Sequence, residues 1–436
     1  MSKIIPPSLD SAKNGFVFAA KNQQVFDRLY YKLLGLTADE FNVLPRPTKW
    51  ANKNLLITRV FKFISKEIAF FWCYFFSYIY MTIRSMAYLT VKRNVETLAK
   101  QNVDTVVFAV CNRTCAVLSQ IVSSDLENII WITPPKLKLS EIALKRVGKG
   151  VIDAASILSL RDRIEAIKQA FLTHRYLVAE YGINLGLQSY VIVEWMLMLW
   201  ATAVVAPKKV LTTEHHDRWA VLADFYCSIS KEKDRACELE LAQHGIEHES
   251  TYQKIETIIQ ERKLPYRLKN ISKIYLYDRE QLAIFKKHII NERLTQGVDF
   301  SVEYFLPKIN LTECLDNIPQ VLFIGHRICE EFQIKIYDLL FSKEKITCFY
   351  KPHPTAKSSK KAKSVGWRFI FDEEFFPSVD LVISYPSTLA DEYKTMGIPS
   401  LMHSISASEE CLDDFSKIVR NHLDGLFKER VIEDAY

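Results

Sequence analysis

The sequence predicts an α/β protein with two doubly wound, Rossmann-like domains that follow an N-terminal helical extension. From Val103 onward, short runs of β-branched and aromatic residues alternate with amphipathic segments, which is typical of parallel strands joined by helices. A polar connector at about 247–269 interrupts this alternation, which then starts again. A chain of 436 residues is long enough to bury two separate cores.

Each predicted strand is a short apolar run that ends in a polar or glycine-containing loop. In the first domain the runs are Thr105–Val110, Asn128–Ile132, Lys209–Thr213 and Glu238–Ala242. In the second domain they are Lys273–Tyr277, Gln320–Ile324, Ile346–Tyr350 and Leu381–Ile383. We therefore expect a helical extension at 1–95, a first domain at 96–265 and a second at 266–436, whose last helix could pack back on the first domain.

The bulk composition is that of a globular protein without a nucleic-acid partner. The hydrophobic fraction is 49% and the charged fraction 25%. The net charge of +6 is not concentrated in Lys/Arg tracts with interleaved aromatics. Nine cysteines without a CxxC pair argue against zinc, and the first residues lack the pattern of a signal peptide. These features predict a cytoplasmic protein.

An uncharged, strongly aromatic run at 68–83 stands out in the predicted extension. Basic residues flank it on both sides: Lys62, Lys66, Arg84, Lys92 and Arg93. The run is short for a spanning helix, which needs about 20 apolar residues. Two interpretations remain open, a helix lying in a membrane surface with its aromatics at the headgroups, or a buried helix of an N-terminal subdomain.

A second long apolar stretch, Leu187–Ala206, contains two polar interruptions. These are Gln188 and Glu194. A carboxylate is costly in lipid, so we predict that this stretch is a core helix of the first domain.

The loop after the predicted strand Leu381–Ile383 carries the groups that a phosphorylated ligand needs. Ser384, Ser387 and Thr388 gather hydroxyl donors at a strand exit, and Thr388 is the predicted N-cap of the following helix. Glu392 lies one turn further along that helix, where a carboxylate could accept from a ribose diol. The alternative is an ordinary capped helix start.

A second loop, which follows Ile346–Tyr350, is stiffened by prolines. It reads Lys351-Pro352-His353-Pro354. The two prolines restrict the backbone to an extended exit, which holds His353 where its imidazole can donate to a departing phosphate. We predict that Lys351, His353 and Pro354 belong to a nucleotide-sugar site, against the alternative of a rigid surface turn.

A third loop at the same predicted sheet edge follows Gln320–Ile324. Gly325 would permit close approach of the backbone to a ligand. Arg327 could bind a diphosphate or a carboxylate through two parallel hydrogen bonds. Both residues are candidates for the nucleotide-sugar site, and an ordinary turn with a surface arginine is the alternative.

The densest run of titratable groups in the first domain follows the predicted strand Lys209–Thr213. A transferase needs a base for the acceptor hydroxyl, and Glu214 or Asp217 could serve. His215, His216 and His244 are further candidates on the acceptor side. Adjacent histidines on a strand point to opposite faces, so we predict that no metal is bound here.

These motifs resemble those of bacterial glycosyltransferases of the GT-B fold, in which two Rossmann-like domains face a cleft. The resemblance is to the enzymes that use CMP-activated sugars, the sialyltransferases and Kdo transferases, and it covers about 321–402. In these enzymes a His-Pro loop contacts the nucleotide and a Ser-Ser or Ser-Thr pair binds its phosphate. His353-Pro354 and Ser387-Thr388 match these motifs, whereas the acidic-acidic-Gly motif that carries the sialyltransferase base has no counterpart.

The resemblance implies an inverting, metal-independent transferase without a cofactor. Its donor would be a CMP-linked sugar such as sialic acid or Kdo, and its acceptor a saccharide or lipid-linked saccharide of a surface polysaccharide or lipopolysaccharide. It would work at the inner face of the cytoplasmic membrane in peripheral contact with the lipid. Polymer transferases that use CDP-glycerol or ribitol, non-hydrolysing nucleotide-sugar epimerases and a non-catalytic membrane scaffold of the same fold remain alternatives.

Overall fold

A computed structural model gives the fold. It describes residues 7–33, 67–94, 103–122, 128–232, 236–259, 263–292, 294, 300–313, 318–342, 344–353, 358–372 and 375–433. Residues 7–32 and the described residues between 67 and 306 belong to one compact unit. The described residues from Pro307 onward belong to a second unit.

The first unit is built on a seven-stranded sheet in which every pairing is parallel. The strand order is β3-β2-β1-β4-β5-β6-β7, so the order reverses between β1 and β4. The strands are β1 (Thr105–Phe108), β2 (Ile129–Thr133), β3 (Val151–Asp153), β4 (Lys209–Thr212), β5 (Glu238–Ala242), β6 (Ile271–Leu276) and β7 (Ser301–Tyr304). In open α/β sheets, ligands bind beyond the carboxyl ends of the strands at such a reversal.

The described helices of the first unit precede the sheet or connect its strands. They are α1 (Leu9–Leu33), α2 (Ser77–Leu89), α3 (Asn112–Ile121), α4 (Glu141–Val147), α5 (Ala154–Ile157), α6 (Leu160–Gly186), α7 (Ile192–Val205), α8 (Arg218–Glu232), α9 (Glu249–Ile259) and α10 (Arg279–Ile284). Residues 67–71 and a π-helical turn, Trp72–Phe76, lead directly into α2.

The second unit repeats the same design on a smaller sheet. Its five strands are all parallel, in the order β10-β9-β8-β11-β12. They are β8 (Gln320–Gly325), β9 (Thr347–Pro352), β10 (Arg368–Phe369), β11 (Leu381–Ser384) and β12 (Ser400–Met402). The helices are α11 (Glu330–Leu340), α12 (Lys360–Ser364), α13 (Thr388–Thr395) and α14 (Leu412–Glu433). The central strands β8 and β11 are buried along their whole length, as expected for a sheet covered on both faces.

The two parallel sheets confirm the predicted α/β class with two Rossmann-like domains and an N-terminal helix. The boundary predicted at 265/266 falls too early, because β6 pairs with β5 and β7 pairs with β6 in the first sheet. The predicted connector at 247–269 contains helix α9. The pattern before β6 resembles a domain linker only because the chain there is polar.

The helices of the predicted extension are part of the first unit. Asn22 of α1 donates from Nδ2 to the carbonyl oxygens of His216 and Tyr266, at 3.0 Å each. In the last helix, Phe415 and Val419 of α14 lie in the core of the second unit.

Helix α7 is a core helix, as predicted for Leu187–Ala206. It belongs to a helical stretch, Leu160–Val205, which is the one described segment long and apolar enough to cross a membrane, but 78% of its apolar window is buried inside the protein. The charge of Glu194 is accommodated by α2, since Arg84 Nε donates to Glu194 Oε1 at 2.8 Å and the Tyr88 hydroxyl donates to the same oxygen at 2.6 Å. Glu194, the carboxylate in the apolar run, is therefore the partner of Arg84 at the contact between α2 and α7.

Candidate functional site

The predicted nucleotide loops follow adjacent strands of the second sheet. His326 follows β8, His353 follows β9, and the Ser384–Thr388 loop follows β11. Because β8 lies between β9 and β11, the three loops meet at one sheet edge, at the reversal of strand order. The His326 ring lies 5.1 Å from the His353 ring and 5.7 Å from the Tyr385 ring, measured between centroids. The structure thus brings the two predicted motifs to the same edge, with His326 between them.

His326 was not among the predicted site residues, yet it is central in this arrangement. The backbone N–H of Ile328 donates to its Nδ1 at 3.2 Å, so the neutral ring carries its proton on Nε2. Burial lowers the pKa of His326 to about 3, with a smaller contribution from His353. His326 is therefore a neutral imidazole that offers an N–H donor. Its position as the first residue after a strand, between Gly325 and Arg327, was the signal in the sequence.

His353 lies at the neighbouring strand end. Its backbone N–H donates to the carbonyl of Gly325 at 2.8 Å, which extends the β8–β9 ladder by one bond. Burial lowers the pKa of His353 to about 4, so this ring is neutral at pH 7 as well. Pro354 lies outside the described residues.

The Ser384–Thr388 loop folds as a helix cap, with one shift from the prediction. Ser387, not Thr388, is the N-cap, because its Oγ accepts from the N–H of Ala390 at 3.3 Å. Ser384 is fully buried and donates to the carbonyl of Tyr385 at 2.6 Å, so its hydroxyl serves the loop itself. Thr388 becomes the first helical residue. Glu392, the predicted ribose acceptor, is 2% exposed.

Two predicted phosphate ligands are engaged elsewhere. Lys351 is buried, and its Nζ donates to the carbonyls of Asp372 at 3.0 Å and Phe375 at 2.8 Å. The side chain thus anchors the backbone at Asp372 and Phe375, and its role in nucleotide binding stays a prediction. Arg327 Nη1 forms an ion pair with Glu330 at 2.8 Å, which occupies one end of the guanidinium that was predicted to clamp a diphosphate.

Gly325 is required by packing inside the protein. A Cβ at this position would lie 2.0 Å from the Tyr350 hydroxyl oxygen and 2.1 Å from Tyr350 Cζ. The close approach predicted for a ligand is thus made by the Tyr350 ring, which also stacks on Trp367 with centroids 4.4 Å apart.

The predicted acceptor-side residues also meet at a reversal of strand order, in the first unit. The loop after β4 carries Glu214 and Asp217, and the first turn of α3, which follows β1, carries Thr114. The hydroxyls of Thr114 and Thr213 are 3.0 Å apart, and the Thr114 hydroxyl donates to Glu214 Oε1 at 3.5 Å. The structure therefore joins the ends of β1 and β4 through a small polar network.

Glu214 and Asp217 form a partly buried pair of carboxyls. Burial raises the pKa of Glu214 to about 7, and burial together with the charge of Glu214 raises the pKa of Asp217 to about 7. Asp217 also accepts from the backbone N–H groups of Trp219 at 2.7 Å and Ala220 at 2.9 Å, so it caps the start of α8. Of the two predicted bases, Glu214 therefore accepts fewer hydrogen bonds from its surroundings.

His244 has the geometry of a fixed neutral base. Its Nδ1 donates to the carbonyl of Thr213 at 2.7 Å, because a carbonyl can only accept. The neutral ring therefore presents the lone pair of Nε2. Burial lowers the pKa of His244, so the ring is neutral at pH 7.

The other two predicted histidines lie beside this ring. His215 is 3% exposed, with its ring tilted against that of His244 and centroids 4.6 Å apart, while His216 is partly buried and stacks on Phe26 at 3.8 Å. Burial lowers the pKa of both rings, and that of His216 falls to about 3. Within the described ranges, no group of three or more His, Cys, Asp or Glu side chains is arranged to hold a metal ion.

Glu247 is a member of this cluster that sequence reasoning missed. Its Oε1 lies 3.6 Å from His215 Nε2 and 3.8 Å from His216 Nδ1, and the Tyr252 hydroxyl donates to its Oε2 at 3.0 Å. Burial raises its pKa to about 7. The residue lies in the polar stretch that was predicted to be a connector, and no local pattern marks it.

Comparisons with known proteins yield only distant structural matches. HepE of Anabaena, in complex with UDP and glucose, is 9% identical, with a TM-score of 0.39, and the match covers 74% of this chain and 91% of that one. The apo lipopolysaccharide outer core galactosyltransferase WaaB is 11% identical, with a TM-score of 0.33 and coverage of 74% and 90%. UDP-N-acetylglucosamine 2-epimerase from Rickettsia bellii is 10% identical, with a TM-score of 0.32 and coverage of 69% and 78%.

No protein-family model matches the chain, and no curated protein matches it. Every TM-score above is below one half, so none of these proteins is a close structural relative. The fold class rests on the two parallel sheets of this chain.

Proposed function

We propose that the protein is a glycosyltransferase that takes its sugar from a nucleotide donor held by the second unit. The observation that carries the proposal is the meeting of His326, His353 and the Ser387–Thr388 helix start at the strand-order reversal of the second sheet. Neutral imidazoles, a threonine hydroxyl and helix N–H groups are donors suited to a phosphate. Such donors stabilise the charge that develops on a phosphate as it leaves.

The first unit would supply the acceptor-side base. Glu214 is suited to this role, because a pKa of about 7 leaves a large fraction of the carboxylate free to take a proton at neutral pH. In the proposed reaction the acceptor oxygen forms a bond to the anomeric carbon, and its proton passes to Glu214. The bond between the sugar and the nucleotide phosphate breaks, and the phosphate takes the electron pair.

The finer proposal is a CMP-activated donor and a surface-polysaccharide or lipopolysaccharide acceptor. It rests on the His-Pro and Ser-Thr motifs of the sequence. A CMP leaving group is a phosphate monoester with less charge than a diphosphate, so protein donors could suffice without a metal or another cofactor. A cytoplasmic location at the membrane stays a prediction.

The direct test is turnover of candidate donors by the purified full-length chain. CMP-Kdo, CMP-sialic acid and UDP-GlcNAc would each be incubated with and without saccharide acceptor, with EDTA or Mg²⁺, and the nucleotide products followed by chromatography. The variants are His326→Ala and His353→Ala. His422→Ala is the matched control, because His422 lies on α14 of the same unit and outside the proposed site.

The proposal predicts release of CMP from a CMP-sugar, undiminished by EDTA. We expect at least a 10-fold loss in each site variant, since a preorganised donor to the developing charge is worth about 10²–10³ in kcat at the upper end. Equal turnover by wild type and both site variants would contradict the site. Conversion of UDP-GlcNAc alone, with no nucleotide released, would replace the transferase with an epimerase.

The identity of the base is tested by the pH dependence of kcat/KM. If Glu214 is the base, the rate falls as the pH drops below about 7 and Glu214→Gln loses both the rate and that limb. His244 would be the base instead if the acid limb of the kcat/KM profile remains in Glu214→Gln and is lost in His244→Asn. The apparent pKa of that limb would then lie below the usual histidine range.

A further inference from the structure

The helical segment 67–89 presents large apolar side chains to solvent. Six of them are between 50% and 64% exposed and define what we call the aromatic face: Phe71, Tyr74, Phe75, Phe76, Ile83 and Met86. Scattered apolar residues on a protein surface are ordinary, but a continuous set on one short segment marks an interaction site. This exposure contradicts the alternative, considered from the sequence, that the segment is a buried helix.

The same segment packs on the protein through a second set of residues, which are buried: Ala69, Cys73, Ser77, Met81, Ser85 and Tyr88. Cys73 and Ser77 are buried, and the Ser77 hydroxyl lies 2.8 Å from His174 Nε2 of α6. The Cys73 thiol donates to the carbonyl of Ile183 at 3.6 Å, and a Cβ on Gly186 would lie 2.9 Å from that sulfur. One side of the segment is therefore buried, while the other leaves large apolar side chains in solvent.

The charge around the aromatic face indicates what kind of surface it would bind. Residues 67–95 contain one acidic residue, the exposed Glu67, and three basic residues, Arg84, Lys92 and Arg93. Lys92 and Arg93 are both exposed. A surface of this sign is attracted to anionic lipid headgroups. In a two-fold dimer the same face would meet its own copy and bring like charges together.

The geometry also limits how the segment can meet a bilayer. The stretch from Phe71 to Met86 is about 23 Å long as a helix, shorter than the ~30 Å hydrocarbon core. One side of the segment is held on α6 by the contacts of Cys73 and Ser77. Only the aromatic face is free to enter lipid, which favours a helix lying in the plane of the interface.

We propose that the aromatic face docks the protein on the surface of an anionic lipid bilayer, with the aromatic and aliphatic side chains below the headgroups and Lys92 and Arg93 among them. Tyrosine and tryptophan favour this depth, and Tyr74 and Trp72 lie on or beside the face. The inference does not depend on the proposed chemistry.

The test is flotation of the full-length chain with vesicles of phosphatidylcholine alone and of phosphatidylcholine mixed with phosphatidylglycerol. Wild type should float with both and more completely with the anionic vesicles. In Phe71→Ser/Phe75→Ser, two half-exposed rings are removed, and partitioning into either vesicle should fall about 100-fold, since each ring that enters lipid contributes about a factor of ten.

Two further variants separate the contributions. Lys92→Gln/Arg93→Gln should lower partitioning about 30-fold into the anionic vesicles and leave binding to neutral vesicles unchanged, because each charge near the surface contributes roughly a factor of five. The matched control is Phe371→Ser in the second unit, which removes a phenylalanine that is 78% exposed elsewhere. It should float like wild type.

Several results would overturn the proposal. One is wild-type protein that floats with neither vesicle. Another is equal loss in the control Phe371→Ser, which would show that the apolar effect is not local. A third is a wild-type protein that does not bind vesicles but forms a dimer without lipid, seen by sedimentation velocity, and whose dimer dissociates in Phe71→Ser/Phe75→Ser. Nucleotide titration without lipid separates this outcome from the proposed function, because it should be the same for wild type and Phe71→Ser/Phe75→Ser.

Discussion

Replacing Gly325 by alanine should destabilise the second unit through one steric conflict. The added Cβ would lie 2.0 Å from the Tyr350 hydroxyl oxygen and 2.1 Å from Tyr350 Cζ. An ordinary carbon contact is about 3.5 Å, so one of the two groups must move by more than about 1 Å.

Neither group has an easy way to move. Strand β8 is paired on both sides, with β9 and β11. The Tyr350 ring is fully buried and stacks on Trp367 at 4.4 Å, and the Trp367 indole N–H donates to the carbonyl of Ala362 at 2.7 Å. Overpacking of such a site typically costs about 1–3 kcal/mol, and we expect Gly325→Ala to lower the free energy of unfolding by about 3 kcal/mol.

The assay is urea unfolding of the full-length chain followed by tryptophan fluorescence. Gly150→Ala is the matched control, since a Cβ there would have no atom within 4 Å. Tyr350→Val is destabilising by itself, but Gly325→Ala should cost less in that background, with a coupling of at least about 1 kcal/mol. Wild-type stability of Gly325→Ala, or additive effects in the double variant, would refute the steric explanation.

Four further predictions concern buried charge, capping and pH. Glu247→Gln should flatten the pH profile of stability between pH 5 and 8. The raised pKa of about 7 means that the wild-type fold keeps a proton at low pH and loses about 3 kcal/mol of its free energy of unfolding as rising pH removes that proton. An unchanged profile in the variant would contradict this. His326→Asn should resist acid better than wild type, since the lowered pKa of about 3 makes the fold lose about 2 kcal/mol as pH falls from 6.5 to 5, and equal acid midpoints would be the opposing result. Arg84→Met should cost about 3–5 kcal/mol in urea unfolding by leaving Glu194 buried without its cation, and Glu194→Gln should recover much of it. Ser387→Ala should cost about 1 kcal/mol as the loss of a helix N-cap, and a silent substitution would mean that the cap is elsewhere.

The sequence predicted the fold class because parallel strands buried on both faces leave a direct mark in the chain. Runs such as Gln320–Ile324 and Leu381–Ile383 are continuous and apolar, and both became central strands. The domain boundary was predicted less well. Strands β6 and β7 follow a polar segment, and only pairing with β5 and with each other, a long-range property, places them in the first sheet.

The candidate site was predictable where position in the chain determines position at the sheet edge. Residues just after a strand, such as His353 and Glu214, were placed at the sheet edge in this way. The anchoring contact of Lys351 and the shift of the cap from Thr388 to Ser387 were not predictable, because both depend on side-chain packing. Glu247 joins the histidine cluster from a loop that nothing in the local sequence distinguishes.

The central claim is that the second unit binds a nucleotide through its β8, β9 and β11 loops. The most direct test is calorimetric titration of the full-length chain with CMP, CDP and UDP. We expect binding of CMP that weakens at least 10-fold in His326→Ala and in Thr388→Val, about 1.4 kcal/mol for each lost donor, and that is unchanged in Glu214→Gln. No heat of binding with any of the three nucleotides, or equal affinities in wild type and both site variants, would contradict the account.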